Sequence, residues 1–280
     1  MKNVVIIFMA LFILQLFCCQ KNEAGGTTTG NPLVSFTMTG SAAASTVASL
    51  KPGKNFPLIA MLQNFALALP PPVLVDSTSS AVSLAEAWIV VKEVEFKPDT
   101  SGVIGEVDGD SISFVGPKVV NLIASNFESF GQARVNTSTL RRIKMQLHNA
   151  DALPSGAPLE LQNKSVYWKG SVGGRQFTFV TTEGFEFELG GPNGVVLSEN
   201  SSILLNIQIA NLFKKMNLST VSNGAAISQS NRVPATNPCP LIKPSAADIY
   251  TCFTEGLKSE SNLGRDDGND GELSGDATVK

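Results

Sequence analysis

The sequence predicts a mainly β protein: an antiparallel β-sandwich of Greek-key type, with a short C-terminal helix and disordered termini. Three observations carry this. Apolar and polar residues alternate with a period of two through most of the middle of the chain. Gly, Pro and Asn punctuate those runs as turns. Long stretches with the three-and-four spacing of an amphipathic helix are few.

The first element is a leader. Lys2 precedes an apolar run from Val4 to Phe17, broken by Gln15. That run is shorter than the roughly 20 residues that span a bilayer and matches a signal-peptide core. Cys18 and Cys19 follow, and the composition then turns polar through Gln20-Lys21-Asn22-Glu23 and Ala24-Gly25-Gly26-Thr27-Thr28-Thr29-Gly30. Leucine three before a cysteine, a small residue just before it and a flexible tether after it resemble a bacterial lipoprotein leader. Taking Cys19 as the lipidated residue puts Leu16 and small Cys18 in those places, whereas taking Cys18 would put bulky Phe17 beside the cut. The resemblance implies acylation of Cys19, palmitate included, and attachment to a membrane through that lipid. Each buried CH₂ contributes about 0.8 kcal/mol, so several acyl chains hold a protein there. By resemblance to sorting in diderm bacteria, Gln20 in place of aspartate implies the outer membrane, at its surface or its periplasmic face. An unlipidated secretory signal and an uncleaved anchor are the rival readings of this leader.

The strands follow in order. Val34, Phe36 and Met38 alternate in a short first strand. Ala87 to Lys97 is the strongest, but its alternation slips: Ile89 and Val91 share one parity, Val94 and Phe96 the other. One extra residue near Lys92-Glu93 reconciles the two halves, which predicts a β-bulge there. Lys118–Ile123, Arg141–Leu147, Ser165–Lys169, Gln176–Val180, Phe185–Leu189 and Ile203–Ile209 complete the set. Ile143, Met145 and Leu147 face inward against Arg142, Lys144 and Gln146. The short Thr181-Thr182-Glu183-Gly184 link predicts that 176–180 and 185–189 form a hairpin.

Two regions break the pattern. Residues 41–82 are rich in Ala, Ser and Pro, and the apolar run from Leu58 to Leu67 reads as a short helix or as a loop packed on a sheet edge. From Asn217 the alternation fades, and Ser245–Phe253 reads as a helix capped by Ser245 after Pro244. The tail from Ser259 to Lys280 is acidic, glycine-rich and poor in apolar residues, which predicts disorder. The organisation expected is a leader over 1–18, a tether over 19–32, a sandwich over 33–216 with 41–82 as an insertion, a disulfide-stapled extension over 217–258 and a disordered tail over 259–280.

The run Trp88-Ile89-Val90-Val91-Lys92-Glu93-Val94-Glu95-Phe96-Lys97-Pro98 resembles the opening strand of an uncharacterised β-sandwich domain of bacterial lipoproteins. Val119–Ile123, Leu140–Leu147, Glu183–Phe187 and Ile203–Ile209 are similar to later strands of that domain. The resemblance covers roughly residues 33–213 and implies a β-sandwich without assigning an active site. The 41–82 insertion and the cysteine-containing C-terminal extension depart from it.

Composition narrows the function. Charged residues are 16% of the chain, low against about 25% for an average globular domain, and polar uncharged residues take their place, as in exported β-rich proteins. The net charge is −3 and no Lys/Arg stripe occurs, so nucleic acid is not an expected partner. With Cys19 carrying lipid and Cys18 cleaved off, Cys239 and Cys252 remain, and an isolated pair in an oxidising envelope reads as a disulfide. The one histidine, His148, follows a strand in a turn context, with no nucleophile-elbow motif in the chain. Glu93 and Glu95, and Glu186 and Glu188, each project from one strand face, which is a carboxylate pairing used in glycoside hydrolysis but also plain outward alternation. Asp266–Glu272 fails the Ca²⁺-loop spacing in both registers. No cofactor is expected. The expectation is a non-enzymatic binding or surface-interaction module with a protein or glycan partner. The alternative is a periplasmic assembly role through the apolar 57–75 segment.

Changing Cys19 to serine should release the protein from the membrane fraction and abolish palmitate incorporation, while Cys18→Ala should leave both intact. Loss of attachment in Cys18→Ala alone would reassign the lipidated residue.

Overall fold

The computed structural model describes residues 32–41, 73–98, 112–124, 127–135 and 139–266. The leader with Cys18 and Cys19, the tether, the 58–67 run and the tail beyond Asp266 lie outside the described residues.

The strand that reads strongest in sequence is also the longest. β3, Ala81–Pro98, begins well before Ala87. Along one edge it pairs antiparallel first with β7, Val166–Val172, and then with β6, Thr139–Leu147. Its other edge carries β2, Leu74–Val75, and β4, Ile112–Asn121. The expected bulge is present: the register shifts between Val91 and Glu93 against both β4 and β6. Ile89, Val91, Val94 and Phe96 therefore all reach one core despite their opposite parities.

The larger sheet extends from β7 to β8, Arg175–Thr181, and on to β11, Ala225–Ile227. On the other side it runs from β6 to β9, Glu186–Val196. This sheet curls into a half-barrel. The smaller sheet packs against it in the order β12 (Ser261–Arg265), β10 (Ser201–Ile207), β1 (Leu33–Gly40) and β5 (Glu128–Arg134). Pairing is antiparallel except at β1–β10 and β8–β11, which are parallel. Helices α1, Ile209–Lys214, and α2, Ile249–Ser259, complete the elements.

Two aromatic groups fill the core, one between the two sheets and one between the larger sheet and the helices. Phe36, Phe96, Phe114 and Phe130 contact edge-on or stacked at centroid distances of 5.2 to 6.0 Å. Trp168, Phe177, Phe179, Phe213 and Phe253 form the other group, with Phe253 stacked on Phe179 at 4.4 Å. Gly256 lets α2 close on α1, because a Cβ there would collide with the Leu212 side chain.

Three expectations need correction. The hairpin is β7–β8 and not 176–180 with 185–189. Gly173 and Gly174, both at positive φ, make the two-residue turn between Val172 and Arg175, and the longer 182–185 link carries β9 across to β6. The helix starts at Ile249 with Asp248 as its cap, its Oδ1 accepting from Thr251 N at 2.7 Å. Ser245 sits too early, because Asp248 bridges to Pro234 and holds the entry extended. The C-terminal segment is no appendage, and disorder does not begin at Ser259: α2 ends there and β12 follows, pairing with β10 and burying Leu263.

Phe253→Ala should cost about 3–5 kcal/mol in urea unfolding, as for other buried aromatic truncations. Leu241→Ala, at a side chain 76% exposed, should stay within about 0.5 kcal/mol.

Candidate functional site

The middle of β3 carries apolar residues at both parities. Ala87, Ile89 and Val91 face the main core, and Trp88 and Val90 face the other way. A strand buried on both faces reads as such an unbroken apolar run. Val90 marks the place where the edge of β3 changes partner: its N–H donates to Ser165 O at 2.8 Å and its carbonyl accepts from His148 N at 3.1 Å. The chain that links β6 to β7, residues 148–165, is thereby released to cross the outer face of the sheet. Ala150 and Leu161 from this crossing bury against Val90 and Tyr167, with Trp88, Val119, Leu153, Ala157 and Val180 around them. Ala150 N donates to Lys164 O at 3.1 Å and Asn163 N to Ala150 O at 3.0 Å, which closes the base of the crossing.

Between this crossing and the residues at the end of β4 and the start of β5 lies a cleft of about 720 Å³. Its floor is half-buried Trp88, flanked on the sheet by Val119 and Asn121 of β4; register places Asn121 beside Trp88. Phe127 forms part of one wall and Leu153 with Ala157 part of the other. At the rim Lys118 Nζ lies 3.6 Å from Glu128 Oε1, both side chains about two-fifths exposed. Asn121 Oδ1 accepts from Ile123 N at 3.1 Å, which fixes the carboxamide and presents its N–H groups as donors. Among the described lining residues the only ionisable side chains are Lys118 and Glu128, and they pair with each other. The volume falls in the range of small-molecule sites.

A second polar constellation sits at β8. Glu183 N donates to Thr181 Oγ1 at 3.0 Å, the Thr181 hydroxyl meets the Tyr250 hydroxyl at 2.8 Å, and Tyr250 donates to Glu183 Oε2 at 2.7 Å. Gln229 Nε2 donates to the other carboxylate oxygen at 2.5 Å, and the Arg232 guanidinium lies 4.9 Å from the Tyr250 ring centroid. Tyr250 is 2% exposed, so this ring of bonds holds α2 to the sheet and offers no phenol to a ligand. Burial, reinforced by the Glu183 carboxylate, pushes the Tyr250 phenol up to about 12. Tyr167 is also raised, chiefly by burial.

The candidate residues of the sequence end up apart. Cys239 and Cys252 are joined, with Cα atoms 5.8 Å apart and both side chains buried. Cys19 lies outside the described residues, as does the apolar 57–75 segment except for Val73–Val75. His148 is exposed, and its Nδ1 sits 3.2 Å from the Asn149 carbonyl, a local turn contact. Glu188 pairs with Arg142 at 2.7 Å and Glu186 with Lys144 at 2.9 Å across β9 and β6, which raises the Lys144 ammonium through its hydrogen bond to Glu186. These carboxylates form a cross-strand charge ladder on a solvated face. Asp266 is buried with its N–H on Ser202 O at 3.0 Å, and Asp267 to Glu272 lie outside the described residues. No group of three metal-ligating side chains occurs among the described residues. Parity places Trp88 on its strand correctly but does not reveal the cleft. The signal for it was the five-residue apolar run Ala87-Trp88-Ile89-Val90-Val91, too continuous for a one-sided strand.

No protein-family model, curated protein or solved structure matches this chain.

The chain has two tyrosines, and both are raised, so folded protein should show little phenolate at the ordinary tyrosine pKa of about 10. Unfolded chain ionises first, so the stability held by neutral Tyr250 is complete below pH 10 and should drain away up to about pH 12. Ultraviolet titration and urea melts across that interval test this. Tyr250→Phe should flatten the decline.

Proposed function

We propose that this chain is a lipid-anchored bacterial envelope protein that acts as a non-enzymatic binding module, with Cys19 bearing the lipid at the outer membrane. The reading follows the lipoprotein-like leader and the strand pattern that resembles the uncharacterised lipoprotein domain. The observation that carries the binding role is the Trp88 cleft. It is an amphipathic, small-molecule-sized site whose floor is hydrogen-bonded strand and whose two described charges pair with each other. A buried disulfide supports maturation in an oxidising compartment. Glu186 and Glu188, the best sequence candidates for acid–base work, are engaged with Lys144 and Arg142, which supports a non-catalytic role for that face.

The test is a panel of glycans and matrix proteins presented to intact cells, read alongside protease accessibility. Ala152 is exposed at the cleft, so Ala152→Trp fills the mouth without disturbing the core. Binding that falls at least about tenfold in Ala152→Trp is the expected outcome. Binding unchanged by that substitution would move the site elsewhere. Turnover of an ester or glycoside substrate that disappears in Glu186→Gln with Glu188→Gln would replace the binding role by catalysis.

A further inference from the structure

We infer that the Trp88 cleft takes a carbohydrate, a short oligosaccharide whose ring stacks on the indole. This rests on the binding-module reading and adds the ligand's chemistry to it.

A pyranose has an apolar C–H face and a rim of hydroxyls that both donate and accept. A ligand of that kind needs a flat, rigid, amphipathic platform with mixed donors and acceptors at its edge. Trp88 supplies the platform: it is half-buried on a strand bonded along both edges, between Asn121 on β4 and Tyr167 on β7. The edge groups are of both kinds. Lys118 donates, Glu128 accepts, and Asn121 keeps its amide N–H groups as donors once its oxygen is held by Ile123 N. The Lys118–Glu128 distance of 3.6 Å is long for a direct hydrogen bond, so a hydroxyl that approaches from the cleft side can bridge both partners without breaking a tight pair. Phe127 adds a second aromatic wall.

Other ligand classes fit less well. An anion would find one described cation, Lys118, already neutralised by Glu128. A metal ion would find one carboxylate among the described lining residues. An acyl chain would strip water from the Lys118–Glu128 pair and from the Asn121 N–H groups and offer them no hydrogen bond in return. A proline-rich peptide shares the taste for aromatic rings but leaves the acid–base pair with no hydroxyl to bridge.

The test uses the lipidated chain from Cys19 onward in detergent micelles. The protein has two tryptophans, and Trp168 is fully buried with its indole N–H unpaired among the described residues. Trp168→Phe removes that N–H and leaves Trp88 as the sole indole reporter. An oligosaccharide panel is screened by Trp88 emission and each hit is measured by calorimetry. The expected result is saturable binding of at least one oligosaccharide. It should weaken at least about tenfold in Ala152→Trp and in Trp88→Ala, and less in Trp88→Phe, which keeps an aromatic face. Ala152→Trp lies outside the core, so its result stands if Trp88→Ala fails to fold. No emission shift with any oligosaccharide overturns the inference. A proline-rich peptide or anionic vesicle that shifts Trp88 emission, and whose binding by calorimetry is lost in Ala152→Trp, overturns the carbohydrate alone and keeps the binding module. Silence from every probe, together with cell binding that ignores Ala152→Trp, overturns both.

Discussion

The register shift at Val91/Glu93 in β3 is the constraint on which the rest of the structure depends. Side chains on a strand alternate with a strict period of two, so a one-residue slip sends every later side chain to the opposite face. Without the shift Ile89 and Val91 would enter the core while Val94 and Phe96 pointed to solvent. With it, all four are buried, and Phe96 reaches Phe36 of the opposing sheet at 5.4 Å. The same strand hydrogen-bonds β2 and β4 on one edge and β7 and β6 on the other. Both wings of the curled sheet therefore take their register from it.

The C-terminal segment closes what β3 begins. Phe253 touches Trp168, Phe177, Phe179 and Phe213, which joins α2 to the sheet through rings rather than through ladder bonds. The Cys239–Cys252 bridge spans 13 residues and fixes the irregular stretch before α2 to the helix itself. In the chain-entropy model a loop of that size contributes about 3 kcal/mol. Glu260, 3% exposed, is held by Lys215 Nζ at 2.6 Å immediately before β12. A carboxylate so buried is costly without its partner, and the pair thus positions the strand that follows. Asp76 works in the same way beside it, against the same stretch that follows α1. Its Oδ1 accepts from Thr78 N and Ser80 N, both at 2.9 Å, and its Oδ2 from Leu218 N at 3.1 Å, tying the turn before β3 to the segment after α1.

How much of this the sequence displays depends on whether the determinant is local. The alternation of Ile143, Met145 and Leu147 against Arg142, Lys144 and Gln146 is local, and so is the slip near Lys92. The strands and the bulge are legible for that reason. β12 is not, because Ser261-Asn262-Leu263-Gly264-Arg265 contains one large apolar residue and is buried by what lies on either side of it. β5 hides similarly behind Gly131 and Gln132. Pairing is less legible still. The short 181–184 link suggested a hairpin, yet β9 finds β6, whose Arg142 and Lys144 match Glu188 and Glu186, while two glycines at positive φ turn β7 back into β8. The cleft is the least legible feature, since its walls come from residues near 88, 119, 127 and 153, far apart in sequence.

The cleft nevertheless follows from the topology of β3. When two strands share one edge of a third, each must stop where the other starts, and the chain between them has to leave the sheet at that point. Here β6 ends at Leu147, β7 starts at Val166, and the departing chain crosses the outer face. It covers Val90 and Tyr167 fully and Trp88 only in part. That incomplete cover gives the site its character. The floor is rigid because the fold needs β3 rigid, so a ligand resting on Trp88 would order little of the protein, and its contact energy would go largely into affinity. The crossing contributes the side walls from Leu153 and Ala157, outside the main core. Substitution there would retune what the cleft accepts without touching the register that holds the two sheets together.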